Sequence, residues 1–173
     1  MRQVTLCLLR RSADDADEVC LGWKKTGFGV NKWVGIGGKV DDDAWETVAQ
    51  AARRELREEV LVDAGELTKV AELTFEFPYQ PAWNMHTHVY LVRTWQGQPT
   101  ETEEMRPRWF ALDEIPYDAM WDDAKHWLPR VIAGERLRAR FSYDRTNRVE
   151  HMAIEVLQPA DRYASHADDG PAA

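Results

Sequence analysis

The sequence predicts one α/β (α+β) domain, a layered sandwich around a mixed sheet and not a repeated βαβ array. Three observations carry this. At 173 residues the chain has the length of a single domain. Strand-like segments outnumber two helical segments of unlike length, and the two kinds do not strictly alternate. Hydrophobic residues make up 44% and charged residues 30%, which suits a globular chain able to bury a core without staples.

The elements follow in order. Residues 1–10 are rich in Val, Thr and Leu and read as a strand; 12–17 form a polar turn, and 19–25 read as the returning strand. Residues 26–39 carry Gly27, Gly29, Gly35, Gly37 and Gly38 around Trp33, a segment open to close approach by another group. Asp43 as N-cap with Glu46 three residues on reads as an aspartate version of the capping box. Trp45, Val48, Ala52, Leu56 and Val60 then recur at helical spacing, a helix to about Val60.

Residues 66–77 and 86–95 read as long strands around a Pro-containing loop, and 108–110 as a short strand. Residues 122–133 read as a second helix ending near Gly134, with Pro129 as a point of weakness. Residues 137–143 and 149–157 read as a hairpin. The expected domain is 1–157, with 158–173 a disordered polar tail.

Lys and Arg total 22 against 30 for Asp and Glu, a net charge of −8. Such a chain binds long nucleic acid or an anionic membrane poorly. A phosphorylated small molecule remains open if a divalent cation supplies positive charge. Cys7 and Cys20 fit no metal-ligand spacing and read as small core residues. The longest apolar run near the N-terminus, 6–9, is too short for a signal-peptide core or a membrane span. The expectation is a soluble cytoplasmic protein, monomeric.

The chemistry concentrates in Arg53-Arg54-Glu55-Leu56-Arg57-Glu58-Glu59. On a helix Glu58 lies about 60° to one side of Glu55 and Glu59 about 40° to the other, so three carboxylates share one arc. The apolar stripe begins beside that arc and shields Glu55 and Glu59. Clustered like charges there are costly without a cation among them, and oxygen ligands suit Mg²⁺, with Mn²⁺ as substitute. A Glu/Arg-rich helix is ordinarily a solvated face with i,i+4 ion pairs. The Gly-rich segment just upstream turns the reading toward a ligand site.

From Gly38 to Val62 the chain resembles the Nudix box, Gly-x5-Glu-x7-Arg-Glu-U-x-Glu-Glu-x-Gly-U with U aliphatic. Glu46, then Arg54-Glu55-Leu56-Arg57-Glu58-Glu59 and Val62, fall in register. Seven residues separate Gly38 from Glu46 where the pattern has five, and Leu61 replaces the Gly. A left-handed cap at Leu61 would cost about 1–2 kcal/mol, so a helix end nearer Gly65 is expected. Gly27-Phe28-Gly29, Trp33, Gly37-Gly38-Lys39-Val40, Phe75-Glu76-Phe77, Glu104-Met105-Arg106-Pro107, Trp109-Phe110, Ile115-Pro116 and Asp118-x-Met120-Trp121 extend the likeness. They resemble the branch of the family that hydrolyses oxidised purine nucleoside triphosphates.

The resemblance implies a Nudix α/β/α sandwich with a mixed central sheet. It implies Glu55, Glu58 and Glu59 as metal-binding carboxylates, with a main-chain carbonyl around Gly37 or Gly38. Glu104 is implied as a further metal ligand and candidate general base, and Glu46 with Arg54 as a brace. The implied reaction is hydrolysis of the diphosphate linkage of a nucleoside triphosphate, giving the monophosphate and pyrophosphate. The implied substrate wall is Phe28, Val34, Lys39, Phe75, Met85, Trp121, Asp123 and Trp127, with Trp121 stacking on the base. Val34 stands where the relatives carry Asn, and Ala124 where they carry a second acid. Asp123 is then the one acid left to read the base edge, and a broad purine preference is expected. Other readings stay open: another nucleotide derivative as substrate, a capped RNA end, or an inactive nucleotide sensor.

His86 and His88 share a strand face, as metal ligands would, but no third ligand is in reach by sequence. They are read as a solvated or cleft-lining face. Of eight tryptophans, Trp23, Trp45, Trp95 and Trp109 are read as packing residues.

Overall fold

The computed structural model describes residues 1–163; residues 164–173 of the expected tail lie outside the described residues. The chain runs β1 (Arg2–Ala13), β2 (Ala16–Lys24), β3 (Trp33–Val34), α1 (Val48–Val60), β4 (Asp63–Ala64), β5 (Thr68–Glu76), β6 (Met85–Val92), β7 (Trp95–Gln96), β8 (Met105–Ala111), α2 (Ala124–Ile132), β9 (Arg136–Tyr143) and β10 (Val149–Leu157). The main sheet is ordered β10-β9-β5-β6-β1-β2, with both β3 and β8 on β2. It is mixed: β1 runs parallel to β6 and β5 to β9, and the other pairs are antiparallel. β4 and β7 form a separate two-stranded ribbon.

The first hairpin closes on two residues, Asp14 and Asp15, both left-handed, as the twist of a tight hairpin demands. Period-2 alternation then divides the core. Cys7 and Leu9 of β1 face α1 with Cys20, Ile36, Ala52, Leu56 and Val92, while Leu8 faces the opposite layer with Leu73, Phe141, Trp127 and Leu128 of α2. Both cysteines are fully buried. Leu56 is at the centre of the α1 layer with no exposure; truncating such a side chain costs about 2–5 kcal/mol.

Three expectations about α1 need correction. The capping box is not Asp43/Glu46 but Thr47/Gln50: Thr47 Oγ1 accepts from Gln50 N at 3.1 Å and Gln50 Oε1 from Thr47 N at 2.9 Å. Asp41 instead caps a single 3₁₀ turn, Asp42–Ala44, which absorbs the longer spacing between Gly38 and Glu46. Trp45 sits outside the helix in a left-handed conformation and is 93% exposed, so it is not a packing residue. The helix also ends at Val60, not near Gly65. Leu61 adopts φ 60°, and Leu61 N and Val62 N donate to Arg57 O and Leu56 O, a left-handed cap made without glycine.

Pro129 lies inside α2 without ending it, and Gly134 follows at φ 100°. The C-terminal hairpin turns on Asp144, whose Oδ1 accepts from Thr146 N and Arg148 N. Past β10 the chain returns to the domain, where the Tyr163 ring lies 4.8 Å from the Arg136 guanidinium. No helix of the described residues is long and apolar enough to cross a membrane.

Candidate active site

A cavity of about 430 Å³ opens where β2, β3 and the glycine-rich segment meet α1, β5, β6 and α2. Glu55 and Glu59 of α1, Glu104 of the loop before β8, and Gly37–Lys39 form one end. Phe28, Trp33, Phe75, Phe77, Met85, Trp121, Trp127 and Tyr143 form the other. Val34, Lys39 and Asp123 also line it; Glu58 does not.

The carboxylate end is built from α1 outward. The helix turns Glu59 inward against the glycine segment, where it is 1% exposed. Its Oε1 lies 3.1 Å from Lys24 Nζ, and its Oε2 accepts from Gly37 N at 3.2 Å. Burial pushes the Glu59 carboxyl up to about 7, against the downward pull of Lys24. Glu55 is also raised by burial, opposed by Arg54, which donates to its Oε1 at 2.8 Å. Glu58 is half-exposed and takes the same Arg54 nitrogen at 3.0 Å. Arg54 thus spreads its fork over Glu46, Glu55, Glu58 and the Lys39 carbonyl.

Glycine is required where the backbone meets these groups. A Cβ on Gly37 would overlap the Thr5 carbonyl, and one on Gly38 would stand 2.6 Å from both Glu55 oxygens. The Gly38 carbonyl accepts from Thr5 N at 2.8 Å and, more loosely, from Thr5 Oγ1 at 3.4 Å. The Glu104 loop is tied to the end of α1 by Thr102, whose hydroxyl donates to Glu59 O at 2.8 Å and accepts from Glu104 N. Glu104 itself is exposed. The oxygen-only donor set, with Glu59 buried, Glu55 partly buried and both raised in pKa, suits a hard divalent cation. Among the described residues the carboxylates are nonetheless not drawn to a point: Arg54 holds Glu55 and Glu58, while Glu59 turns to Gly37 and Lys24.

The aromatic end holds residues that sequence reasoning missed. Phe28 stacks on Trp121 with centroids 5.0 Å apart and planes 12° apart, so one face of Trp121 is already covered. Phe77 stacks on Tyr143 at 4.7 Å. Asp123, 5% exposed, is engaged on both oxygens: Tyr143 Oη donates to Oδ1 and Trp127 Nε1 to Oδ2 at 2.7 Å. Burial raises the Asp123 carboxyl, and these two donors pull the other way. Tyr143 lies twenty residues downstream, at the end of β9, and no spacing linked it to Asp123; only the β5–β9 pairing brings it over the cavity.

His86 and His88 do not line this cavity, and neither belongs to a fully solvated face. His88 is fully buried and the His86 side chain is 18% exposed, on the sheet face that also carries Tyr90 and Val92.

A glycine cradle against a helix that carries three glutamates, at the mouth of an apolar slot, is the arrangement of a Nudix fold. The chain belongs to the Nudix family: the NUDIX domain model matches residues 1–131. It is 41% identical over 139 residues to the oxidized purine nucleoside triphosphate hydrolase of Danio rerio, covering 80% of this chain and 87% of the relative. It is 41% identical over 125 residues to that of Mus musculus, covering 72% and 78%. Among solved structures, a MutT protein from Bacillus halodurans superposes with TM-score 0.72 over 90% of this chain and 98% of that one; at 18% identity this speaks for the fold.

Proposed function

We propose that this chain is a Mg²⁺-dependent hydrolase of nucleoside triphosphates that acts on purine deoxynucleotides, oxidised ones such as 8-oxo-dGTP included. It cuts the diphosphate linkage to give the monophosphate and pyrophosphate. One observation carries the reading: an aromatic slot sized for a base runs directly into a cluster of carboxylates and a lysine at the phosphate end. The 41% identity to hydrolases of oxidised purine nucleoside triphosphates supports the substrate class.

In this reading Glu55, Glu58, Glu59 and Glu104, with the Gly38 carbonyl, hold the cation. When bound, the cation neutralises the triphosphate and eases departure of the leaving phosphate. Arg54 and Lys24 hold the carboxylates apart and pull against the burial that raises Glu55 and Glu59. Lys39, exposed at the rim, meets the polyphosphate. Glu104 stands on a loop tied to α1, within reach of attacking water, and takes its proton. Trp121, backed by Phe28, holds the purine by stacking, worth about 1–3 kcal/mol per base and indifferent to its edge. Asp123 meets the edge with two protein donors already bound, and Val34 and Ala124 offer no polar group. The substrate is a free nucleotide, and neither a membrane nor long nucleic acid is involved.

The test is phosphate release over a panel of nucleotides, with and without Mg²⁺. Turnover of 8-oxo-dGTP and other purine triphosphates, dependent on the cation, is expected. Cleavage confined to nucleoside diphosphate derivatives overturns the reading.

A further inference from the structure

A second group of ligand-bearing side chains lies on the α1 face of the sheet, apart from the cavity. His86 and His88 alternate on β6, and Glu72 of β5 pairs in register with His88. Glu72 is 1% and His88 0% exposed. One ligand atom from each of the three lies within 4.8 Å of the others, and they are the one such trio among the described residues. His86 Nε2 is 3.8 Å from Glu72 Oε2, and His88 Nδ1 is 3.7 Å from Glu72 Oε1. These separations exceed hydrogen-bond length. They approach the spacing of two ligands on one tetrahedral ion, roughly 3.3–3.5 Å for bonds of about 2.0–2.1 Å.

The outer nitrogens of both rings are fixed. His88 Nε2 meets Gln3 Oε1 at 2.7 Å, and Gln3 is oriented by donating from its own Nε2 to Met1 O at 3.3 Å. An amide oxygen only accepts, so His88 carries a proton on Nε2 and turns Nδ1 toward Glu72. His86 Nδ1 lies 3.1 Å from Thr74 Oγ1, with Nε2 on the side of Glu72. Metal-binding histidines are held in this manner, the far N–H on a fixed oxygen.

We propose that Glu72, His86 and His88 form a binding site for a zinc-class transition-metal ion, distinct from the carboxylate cluster of α1. Two imidazoles and a carboxylate are a donor set for Zn²⁺ and not for Mg²⁺. The three come from adjacent strands of a hydrogen-bonded sheet, which fixes their spacing. Lys69 is the competitor: its Nζ lies 2.7 Å from Glu72 Oε1, and its side chain keeps 17% exposure, an exit for the ammonium when an ion enters.

The test is a Co²⁺ titration of the full chain in excess Mg²⁺, which occupies oxygen-only sites. Tetrahedral Co²⁺ shows intense visible bands; six-coordinate Co²⁺ shows weak ones. One equivalent with tetrahedral bands, displaced by Zn²⁺, is expected. Glu72→Gln and His86→Gln should abolish the bands, Gln3→Ala should weaken binding about 10–100-fold, and Lys69→Met should tighten it. Glu58→Gln should leave the bands in place. His86, partly exposed, serves where substitution of the buried His88 disrupts folding. A titration with no tetrahedral bands, or bands that persist in both Glu72→Gln and His86→Gln, overturns the assignment.

Discussion

Arg54 grips Glu46 through two parallel contacts, Nε to Oε1 at 2.7 Å and Nη2 to Oε2 at 3.0 Å. This bidentate pair, with Asp41 N also donating to Glu46, closes the inserted turn onto α1. Its hydrogen bonds hold the Glu46 carboxyl below the ordinary glutamate value of 4.5. A depressed carboxyl contributes stability above that ordinary value and loses it as pH falls through the folded value. The melting-temperature gap between wild type and Glu46→Gln should therefore be present at neutral pH and close in acid. A gap that widens on acidification would contradict this.

The carboxylates should separate by kinetic role. Glu59→Gln and Glu58→Gln should keep the fold and lower turnover at least ~10²-fold. Glu104→Ala should lower the maximal rate more than it changes KM. Wild-type activity should vanish in excess chelator; full activity there would remove the metal from the scheme.

Selectivity at the base should be modest, because strong discrimination needs buried polar partners and Val34 and Ala124 offer none. The specificity constants for 8-oxo-dGTP and dGTP should differ by less than several thousandfold. Tyr143→Phe keeps the ring stacked on Phe77 but releases Asp123 Oδ1 toward the cavity. It should raise the ratio between the two substrates while destabilising the fold by about 1–3 kcal/mol. An unchanged ratio would mean that Asp123 does not read the base.

Leu61→Gly should stabilise the chain. The left-handed conformation costs a branched residue about 1–2 kcal/mol, and part of the relief is offset by the greater freedom of unfolded glycine. A net gain near 1 kcal/mol corresponds to a rise of about 2–4 °C in Tm for a chain of this length. A fall would show that the half-exposed Leu61 side chain makes contacts that outweigh the strain.

Much of this was legible in residue order. The period-2 strands, the apolar stripe Val48-Ala52-Leu56-Val60 and the carboxylate spacing all report local geometry, which sequence encodes directly. The capping box went to the wrong pair because Asp43/Glu46 and Thr47/Gln50 have the same form, and only the inserted turn decides between them. Tyr143 over Asp123, and Glu72 beside His88, were invisible for a different reason. Both depend on which strands become neighbours, a property of the finished sheet and not of any segment within it.

The place of β1 bears on how the molecule is made. Its hairpin with β2 closes within a few residues, but its other neighbour is β6, with Gln3 beside His86 and Leu9 beside Val92. The next parallel junction, Ala71 beside Leu137, spans another long stretch. A nascent chain emerging from the ribosome can thus form its first hairpin early, yet that hairpin keeps an open, hydrogen-bonding edge until β6 has been synthesised. Loop closure over such distances sets the pace, and refolding should fall in the slow, millisecond-to-second regime of non-local sheets. During that interval the exposed edge of β1 is the stretch most open to pairing with another chain.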